Sequence, residues 1–236
     1  MNKKAFTKIG LSGVSKNEQD DLFIRDVVDC LVKLDKEILC EERLAKKINY
    51  LNKYSYDDKE IIENIDLLIS VGGDGTMLSN SKKYGINKIP ILGINLGTLG
   101  FLTDIQTDDP VSRLSDVIKG KYLLDERPFL QATLDSKQLK PIALNEIVLH
   151  SGSVAKMIEF NLFIDNSFVY KQKADGIIIF SPTGSTAYSL SGGGPLVDPN
   201  LNVIGIMPMF PHSINNTPIL IDDDKEVRIE LSNPLN

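Results

Sequence analysis

The sequence predicts an α/β N-terminal domain on a parallel, doubly wound sheet, followed by a mainly β C-terminal domain. Three observations point there. Over the first half, apolar runs of strand length alternate with segments of helical period. Two of those runs, "IDLLISV" and "IPILGIN", are continuously apolar, as strands covered on both faces are. From about Tyr122 the helical period fades, and strand-like stretches separated by short turns take over. The expected domains are therefore 1–122 and 123–236.

Taken in order, "FTKIGLSG" reads as a strand and "EQDDLFIRDVVDCLVKL" as an amphipathic helix with Leu22, Phe23, Val27, Leu31 and Leu34 on its apolar face. "EILCEE" is the next strand, and "ERLAKKINYLNKY" a second helix. After "IDLLISV", the segment "TMLSNSKKYG" is helical and stops at Gly85. After "IPILGIN", "DPVSRLSDVIKG" is a helix with Asp109 as cap, Pro110 at its first position and Gly120 past its end. In the second half the strand-like stretches are "FLQATLD", "ALNEIVLH", "MIEFNLFIDNSFVYKQ", "ADGIIIF" and "EVRIELS", with a helix starting near "GSTAYSL".

The 236 residues are enough for a sizeable core, and the composition is that of a water-soluble globular chain. A net charge of −6 disfavours nucleic acid as a partner. Runs such as "GIIIF" are too short to span a bilayer, and "MNKKAFTKIG" lacks the apolar region of a secretory signal. Cys30 and Cys40, without CxxC spacing, read as reduced core thiols of a cytoplasmic protein.

The segment "SVGGDGTML" sets a strand, a glycine-rich turn and a helix in succession, at the carboxyl end of a parallel strand where open α/β sheets bind ligands. Backbone N–H groups of such a turn, with a helix N-terminus behind them, form a nest for phosphate. No Gly-Lys-Ser/Thr follows, and Leu78 stands where the dinucleotide fingerprint needs a third glycine. One reading is structural: glycines supply positive φ, and Asp74 caps the helix. The other is chemical. A carboxylate beside phosphates is costly unless a divalent cation or a transferable proton offsets the repulsion, which suits an acid that takes the proton of an attacking hydroxyl.

A second glycine-rich turn, "GINLGTLGFL", follows the next strand and is expected beside the first. Core packing is the plain reading of Phe101; the other is a wall for an adenine ring. Asn145 and Glu146 interrupt an apolar strand, so one of them faces inward or sits at the strand's end; they suit either a turn cap or the paired hydroxyls of a ribose. Residues 181–194 hold seven hydroxyl side chains (Ser181, Thr183, Ser185, Thr186, Tyr188, Ser189 and Ser191) and four glycines, fitting a polyhydroxylated or phosphorylated ligand or a solvated loop. His150 and His212 have no ligand-like spacing and Gly-x-Ser-x-Gly is absent, so zinc and serine-hydrolase chemistry are disfavoured.

The motifs "GGDGTML", "GINLGTLGFL", "ALNEIVLH", "ADGIIIFSPTGSTAYSLSGGGPLV" and "PMFPHSINNTPILI" run in the order and approximate spacing of the NAD kinases, and "VAKMIEF" resembles the proteobacterial members. The resemblance covers about Ile9 to Glu230, and the run from Ala174 to Val197 is its most specific part. It implies transfer of the ATP γ-phosphate to the 2′-hydroxyl of the adenosine ribose of NAD, giving NADP. Asp74 would accept the proton, and Gly72, Gly73, Gly75 and Thr76 would form the phosphate turn. Phe101 would pack on the adenine; Asn145 and Glu146 would bind ribose hydroxyls; Lys156 and Lys173 would lie near the nucleotide. Asp175 would meet the nicotinamide end, and Thr186, Ala187, Tyr188 and Ser191 would line the adenine and ribose pocket, with Thr183, Ser189 and Leu190 also among the binding residues.

The resemblance further implies a homo-oligomer, dimer or tetramer, and a divalent cation, magnesium, with ATP; no residue is assigned as a metal ligand. The family also continues beyond the position of Asn236 and carries an arginine near Thr217 and Pro218, so the chain is expected to be shortened at its C-terminus. Two other readings are a lipid kinase of the diacylglycerol type, which shares the glycine-rich turn but not "NE" or "PTGSTAYSLS", and a non-catalytic dinucleotide sensor.

Overall fold

The computed structural model describes residues 5–97, 100–105, 110–134, 137–138, 142–152, 156–212 and 217–232. Asp109, Thr98 and Leu99 of the second glycine-rich turn, Val154 and Ala155 of "VAKMIEF", and 214–216 of "INNTP" lie outside the described residues. The chain divides into two compact units, Met1–Leu124 and Asp125–Asn236.

The first unit contains β1 (Lys8–Gly13), α1 (Glu18–Lys33), β2 (Glu37–Glu41), α2 (Glu42–Lys47), β3 (Ser55–Tyr56), α3 (Asp58–Asn64), β4 (Leu67–Val71), α4 (Asp74–Lys83), β5 (Ile91–Ile94) and α5 (Pro110–Ile118). The sheet order is β3-β2-β1-β4-β5, and every pairing is parallel. From central β1 the chain winds outward to β3, then returns to place β4 on the other flank of β1. That reversal makes the β1/β4 seam the switch point, where a crevice opens at the carboxyl ends.

Alternation assigns the two faces. Ile9, Leu11, Ile38, Cys40, Ile69 and Val71 join Val27, Leu31, Leu44, Leu114 and Ile118 in one core; Leu39 and Leu68 join Ile61, Ile65, Tyr84 and Ile89 in the other. The apolar stripe of α1 differs from expectation: Ile24, Val27, Val28 and Leu31 are buried, while Leu22 is 58% exposed. Asn17 caps this helix, accepting the Asp20 N–H at 2.9 Å.

The expected second helix is broken. Ile48 takes an extended conformation between α2 and a 3₁₀ turn at Asn49–Tyr54, and Ile48 and Leu51 are both buried across the break. Nor does Gly85 end α4 with a left-handed residue; a 3₁₀ turn, Gly85–Asn87, follows, and Lys88 takes the positive φ of 60°. Gly120, at φ 94°, does follow α5 as expected.

The second unit holds β6 (Thr133–Leu134), β7 (Lys137–Gln138), β8 (Glu146–His150), β9 (Ile158–Ile164), β10 (Ser167–Ala174), β11 (Gly176–Phe180), α6 (Tyr188–Ser191), β12 (Val203–Met209), β13 (Ile219–Asp222) and β14 (Val227–Leu231). Sheets β13-β12-β11-β8 and β10-β9-β14 are antiparallel and share a core of Ile158, Phe160, Leu162, Ala174, Ile177 and Ile206. Asp165 and Asn166, at φ 47° and 65°, turn β9 into β10 with the left-handed pair that a two-residue hairpin needs.

Strands β12 and β13 are absent from the sequence reading. Gly205 and Pro208 disguise β12, yet both fit their places. Pro208 lies beyond Ile206, the last β12 residue paired with β13, so its missing N–H falls outside that ladder. Gly205 faces Phe180 across the β11–β12 pair, and a Cβ there would fall inside the Phe180 ring. Among the described residues no helix is long and apolar enough to cross a membrane.

Two outcomes follow. Gly205→Ala forces the buried Phe180 ring to move and lowers stability by about 1–3 kcal/mol in urea unfolding, the usual cost of overpacking; a Phe180→Leu background reduces that loss. Both cysteines are free and buried, and burial pushes the Cys40 thiol up to about 12 and raises that of Cys30. At pH 8 both stay protonated, so a thiol reagent reacts slowly with native protein and with both of the 2 cysteines after unfolding.

Candidate active site

The first glycine-rich turn leaves β4 at the β1/β4 seam. Gly72 has φ 150°, and a Cβ there would lie 2.5 Å from Thr76 Oγ1, so the backbone itself requires this glycine. Gly73 and Gly75 are different. Neither has a positive φ, and a Cβ on either would meet nothing within 4 Å. The fold does not require glycine at these two positions, and leaving them bare keeps open the approach to the backbone at the start of α4.

Gly73 is the N-cap of α4 and brings no side-chain cap; Asp74 is the first helical residue. The N–H groups of Thr76 and Met77 reach Gly73 O at 3.0 and 3.1 Å, while the amides ahead of them are beyond intrahelical reach. The Asp74 carboxylate does not cap the helix, contrary to the structural reading of the turn. It accepts the Phe101 N–H at Oδ2 (2.9 Å) and the Leu102 N–H at Oδ1 (3.0 Å). A Cβ on Gly100 would overlap this carboxylate, so Gly100 is bare to let it in. Asp74 therefore ties the two glycine-rich turns together, side by side because β4 pairs with β5.

Phe101 is not a core residue. Its backbone is held by Asp74 and its side chain is 71% exposed. On the far side of the same turn, Asn95 Oδ1 accepts the Gly97 N–H at 2.9 Å.

The other expected residues belong to the second unit. Asn145 and Glu146 sit where β8 begins, with Glu146 opposite Phe180. Asn145 Oδ1 is buried and has no hydrogen-bond partner among the described residues. The Asn145 carbonyl accepts the Ser181 N–H at 2.8 Å, and a Cβ on Gly184 would collide with that carbonyl. Gly184 thus lets the hydroxyl-rich turn close on the Asn145–Glu146 strand end. An orphaned amide oxygen beside such a turn is an acceptor in wait of a donor such as a hydroxyl.

The seven hydroxyls split into two sets. Ser181, Ser185 and Ser189 are buried and committed to the fold: Ser181 donates to Leu144 O at 2.5 Å, Ser185 accepts the Val197 N–H at 3.0 Å, and Ser189 donates to Gly184 O at 3.0 Å. Ser189, expected among the binding residues, thus has its hydroxyl directed into the turn. Thr183 is 4% exposed and accepts from Arg127 Nη1 at 3.2 Å; Thr186 donates to Thr183 O at 3.2 Å. Tyr188 and Leu190 are 48% and 41% exposed, Ser191 is exposed, and Ala187 is half-buried.

Lys173 lies on β10 and Asp175 in the step to β11, where its N–H meets Met209 O; Lys156 is exposed just before β9. His150 Nδ1 accepts the Gly152 N–H, a turn-fixing role. Arg127 escaped the sequence reading: held by Asp125 through Nε, it brings a guanidinium to the Thr183 turn, and nothing in its spacing announces this.

Residues 21–122 match the ATP-NAD kinase N-terminal domain, and residues 144–236 the ATP-NAD kinase C-terminal domain. The NAD kinase of Coxiella burnetii is 40% identical over 235 residues, which is 98% of this chain and 78% of that protein. A crystal structure of yeast NADH kinase complexed with NADH superposes with TM-score 0.86 at 26% identity, over 97% of this chain and 73% of that one. An NAD kinase from Archaeoglobus fulgidus in complex with ATP gives 0.75 at 25% identity, over 95% and 81%. Matched in both halves and along nearly its whole length, the chain belongs to the NAD kinase family.

Proposed function

We propose that this chain catalyses attack of the adenosine-ribose 2′-hydroxyl of NAD on the γ-phosphorus of ATP. The new bond joins the 2′-oxygen to phosphorus. The bond from phosphorus to the β,γ-bridging oxygen breaks, ADP leaves with that electron pair, and the hydroxyl proton passes to Asp74. The observation that carries the reading is the placement of one carboxylate at the open N-terminus of α4, between two glycines whose side-chain space is empty.

Each carboxylate oxygen has two acceptor directions, and the Phe101 and Leu102 N–H groups use one apiece. The remaining pair is available to a sugar hydroxyl. The helix N-terminus and the turn's N–H groups favour the phosphates electrostatically. Phe101 offers an exposed ring for the adenine, and the buried Asn145 oxygen an acceptor for a ribose hydroxyl, with Glu146 beside it. Thr186, Ala187, Tyr188, Leu190 and Ser191, half-buried or exposed, would line the adenine and ribose pocket, and the reading takes Lys156, Lys173 and Asp175 as nucleotide-binding residues.

Among the described residues no three or more His, Cys, Asp or Glu side chains gather as a metal cage. Magnesium would instead come with the ATP substrate, held on its phosphate oxygens. Bound there, it offsets phosphate charge. The reading also includes the cytoplasm as location and a homo-oligomer of two or four chains.

The deciding assay incubates the protein with ATP, magnesium and NAD and detects NADP with a coupled dehydrogenase. Tight NAD binding without NADP would favour a sensor; phosphate on a diacylglycerol instead would favour a lipid kinase. Asp74→Asn lowers turnover by about 10²–10⁴-fold, the usual cost of losing a general base. It also turns an NH₂ toward the Phe101 or Leu102 N–H, so calorimetry registers weaker NAD binding as well. Binding left intact would mean the two turns do not depend on the acid. Asn145→Ala and Glu146→Ala weaken NAD binding more than they slow turnover at saturating NAD.

A further inference from the structure

Helix α4 carries Asp74, yet it has almost no apolar face. Within "DGTMLSNSKK" the buried residues are Asn80 and Ser81. The apolar anchor is Tyr84, just past the helix and fully buried among Leu39, Ile61, Ile65, Leu68 and Ile89. Ten residues, or about 15 Å of helix, separate that anchor from Asp74. A helix gripped by packing at one end only can still turn and slide at the other.

A second grip exists, and it is polar. Asn80, 4% exposed, inserts its amide between two strands: Nδ2 donates to Ser70 Oγ on β4 at 2.8 Å, and Oδ1 faces Ser12 Oγ on β1 at 3.0 Å. Ser12 and Ser70 are register partners across the β1/β4 seam, each 2% exposed. The Ser12 hydroxyl also lies 2.5 Å from Glu41 Oε2 at the end of β2. Its single hydrogen cannot serve both acceptors. With that hydrogen on Glu41, turning the amide over gives an unbroken relay through the same heavy-atom positions: Asn80 donates to Ser12, Ser12 to Glu41, and Ser70 to Asn80.

Glu41 Oε1 pairs with Lys83, one turn further along α4, at 3.0 Å. Lys83 also pairs with Asp58 at the start of α3, and Asp58 accepts the Tyr84 hydroxyl at 3.1 Å. Burial alone would lower the Lys83 pKa, but its bonds to Asp58 and Glu41 raise it above the ordinary lysine value. The ammonium stays charged, and the chain of contacts from the seam to the helix's last turn is complete.

We propose that Asn80, with Ser12 and Ser70, is a positioning device that sets the register of α4 on the β1/β4 seam and so places Asp74 for proton transfer. Directional bonds at the seam fix rotation and slide together, which an apolar stripe would not. The proposal rests on the assignment of Asp74 as proton acceptor. A displacement on the order of 1 Å at a reacting group costs about 10²-fold in rate.

The test uses Ser70→Thr and Ser70→Val, which have the same shape and differ in the hydroxyl alone, with Asn80→Leu as a second variant of similar volume. Circular dichroism and thermal unfolding check the fold, calorimetry gives the NAD Kd, and steady-state assays separate kcat from KM. The Thr variant keeps more turnover than the Val variant by about tenfold or more, and Asn80→Leu matches Val, while NAD affinity stays within about twofold across the set. Equal turnover of Thr and Val variants, full turnover of folded Asn80→Leu, or a fall in kcat paralleled by NAD affinity would overturn the proposal. Asp74→Asn in the same assay separates the two claims: if it keeps its turnover, the proton-acceptor assignment fails, whatever the seam variants do.

Discussion

Among the described glycines of the first unit, the closest approach to another stretch of backbone lies at the β1/β4 seam. A Cβ on Gly13 would run into the Val71 carbonyl, and the Val14 N–H donates to that same carbonyl at 3.0 Å. The two strand ends can draw together only because β1 ends on a residue without a side chain. The chain winds outward from β1 on one flank and returns on the other, so this is also where the connections diverge and leave a crevice. Whatever leaves β4 at Val71 must emerge there, and what leaves is the turn bearing Asp74.

From that point the glycines sort by what they meet. Gly13, Gly72, Gly100 and Gly184 each stand against a named neighbour: the Val71 carbonyl, Thr76, the Asp74 carboxylate and the Asn145 carbonyl. Their absent side chains are a packing requirement. Gly73 and Gly75 meet nothing, so packing does not explain them. A helix N-terminus stripped of side chains and lacking a side-chain cap exposes its backbone N–H groups, which is what an anionic ligand needs. Sequence cannot make this distinction, since all six are the same letter; the space around each one can.

The alternation of the first unit was legible because "LLISV" and "ILGI" are apolar apart from the single hydroxyl of Ser70, and helical periods lie between them. The apolar stripe of α1 was legible only in part: periodicity admits Leu22 as readily as Ile24, and packing on the sheet selects Ile24. Strand β12 was hidden because glycine and proline argue against a strand, and only the partner ring of Phe180 and the end of the β13 ladder make them acceptable. In the site, Asp74 stood out as a charge where none is expected. Its grip on Phe101 and Leu102 could not be foreseen, because the donors are backbone N–H groups, which every residue but proline has. In the hydroxyl run the residue types were visible in the sequence and their bonding partners were not. Seven hydroxyls fit a polyhydroxylated or phosphorylated ligand or a solvated loop, but Ser181 and Ser185 bond outside the turn, to Leu144 O and the Val197 N–H, and Ser189 bonds Gly184 O within it.

In the proposed reaction Asp74 has two tasks that pull in different directions. As a clamp it is best when both oxygens are saturated by N–H groups; as a base it needs an acceptor direction left over and a negative charge available to a proton. A carboxylate meets both demands because it offers about four acceptor directions and donates nothing. An asparagine would supply one oxygen and oppose the second N–H. A glutamate would add a methylene where Gly100 has been stripped to make room. The same geometry makes the acid depend on its helix: its oxygens are fixed by the second turn, but its Cα is fixed by α4. Whatever sets α4 on the sheet therefore sets the distance between clamp and acid. In this chain that contact is an amide between two serines rather than a row of leucines.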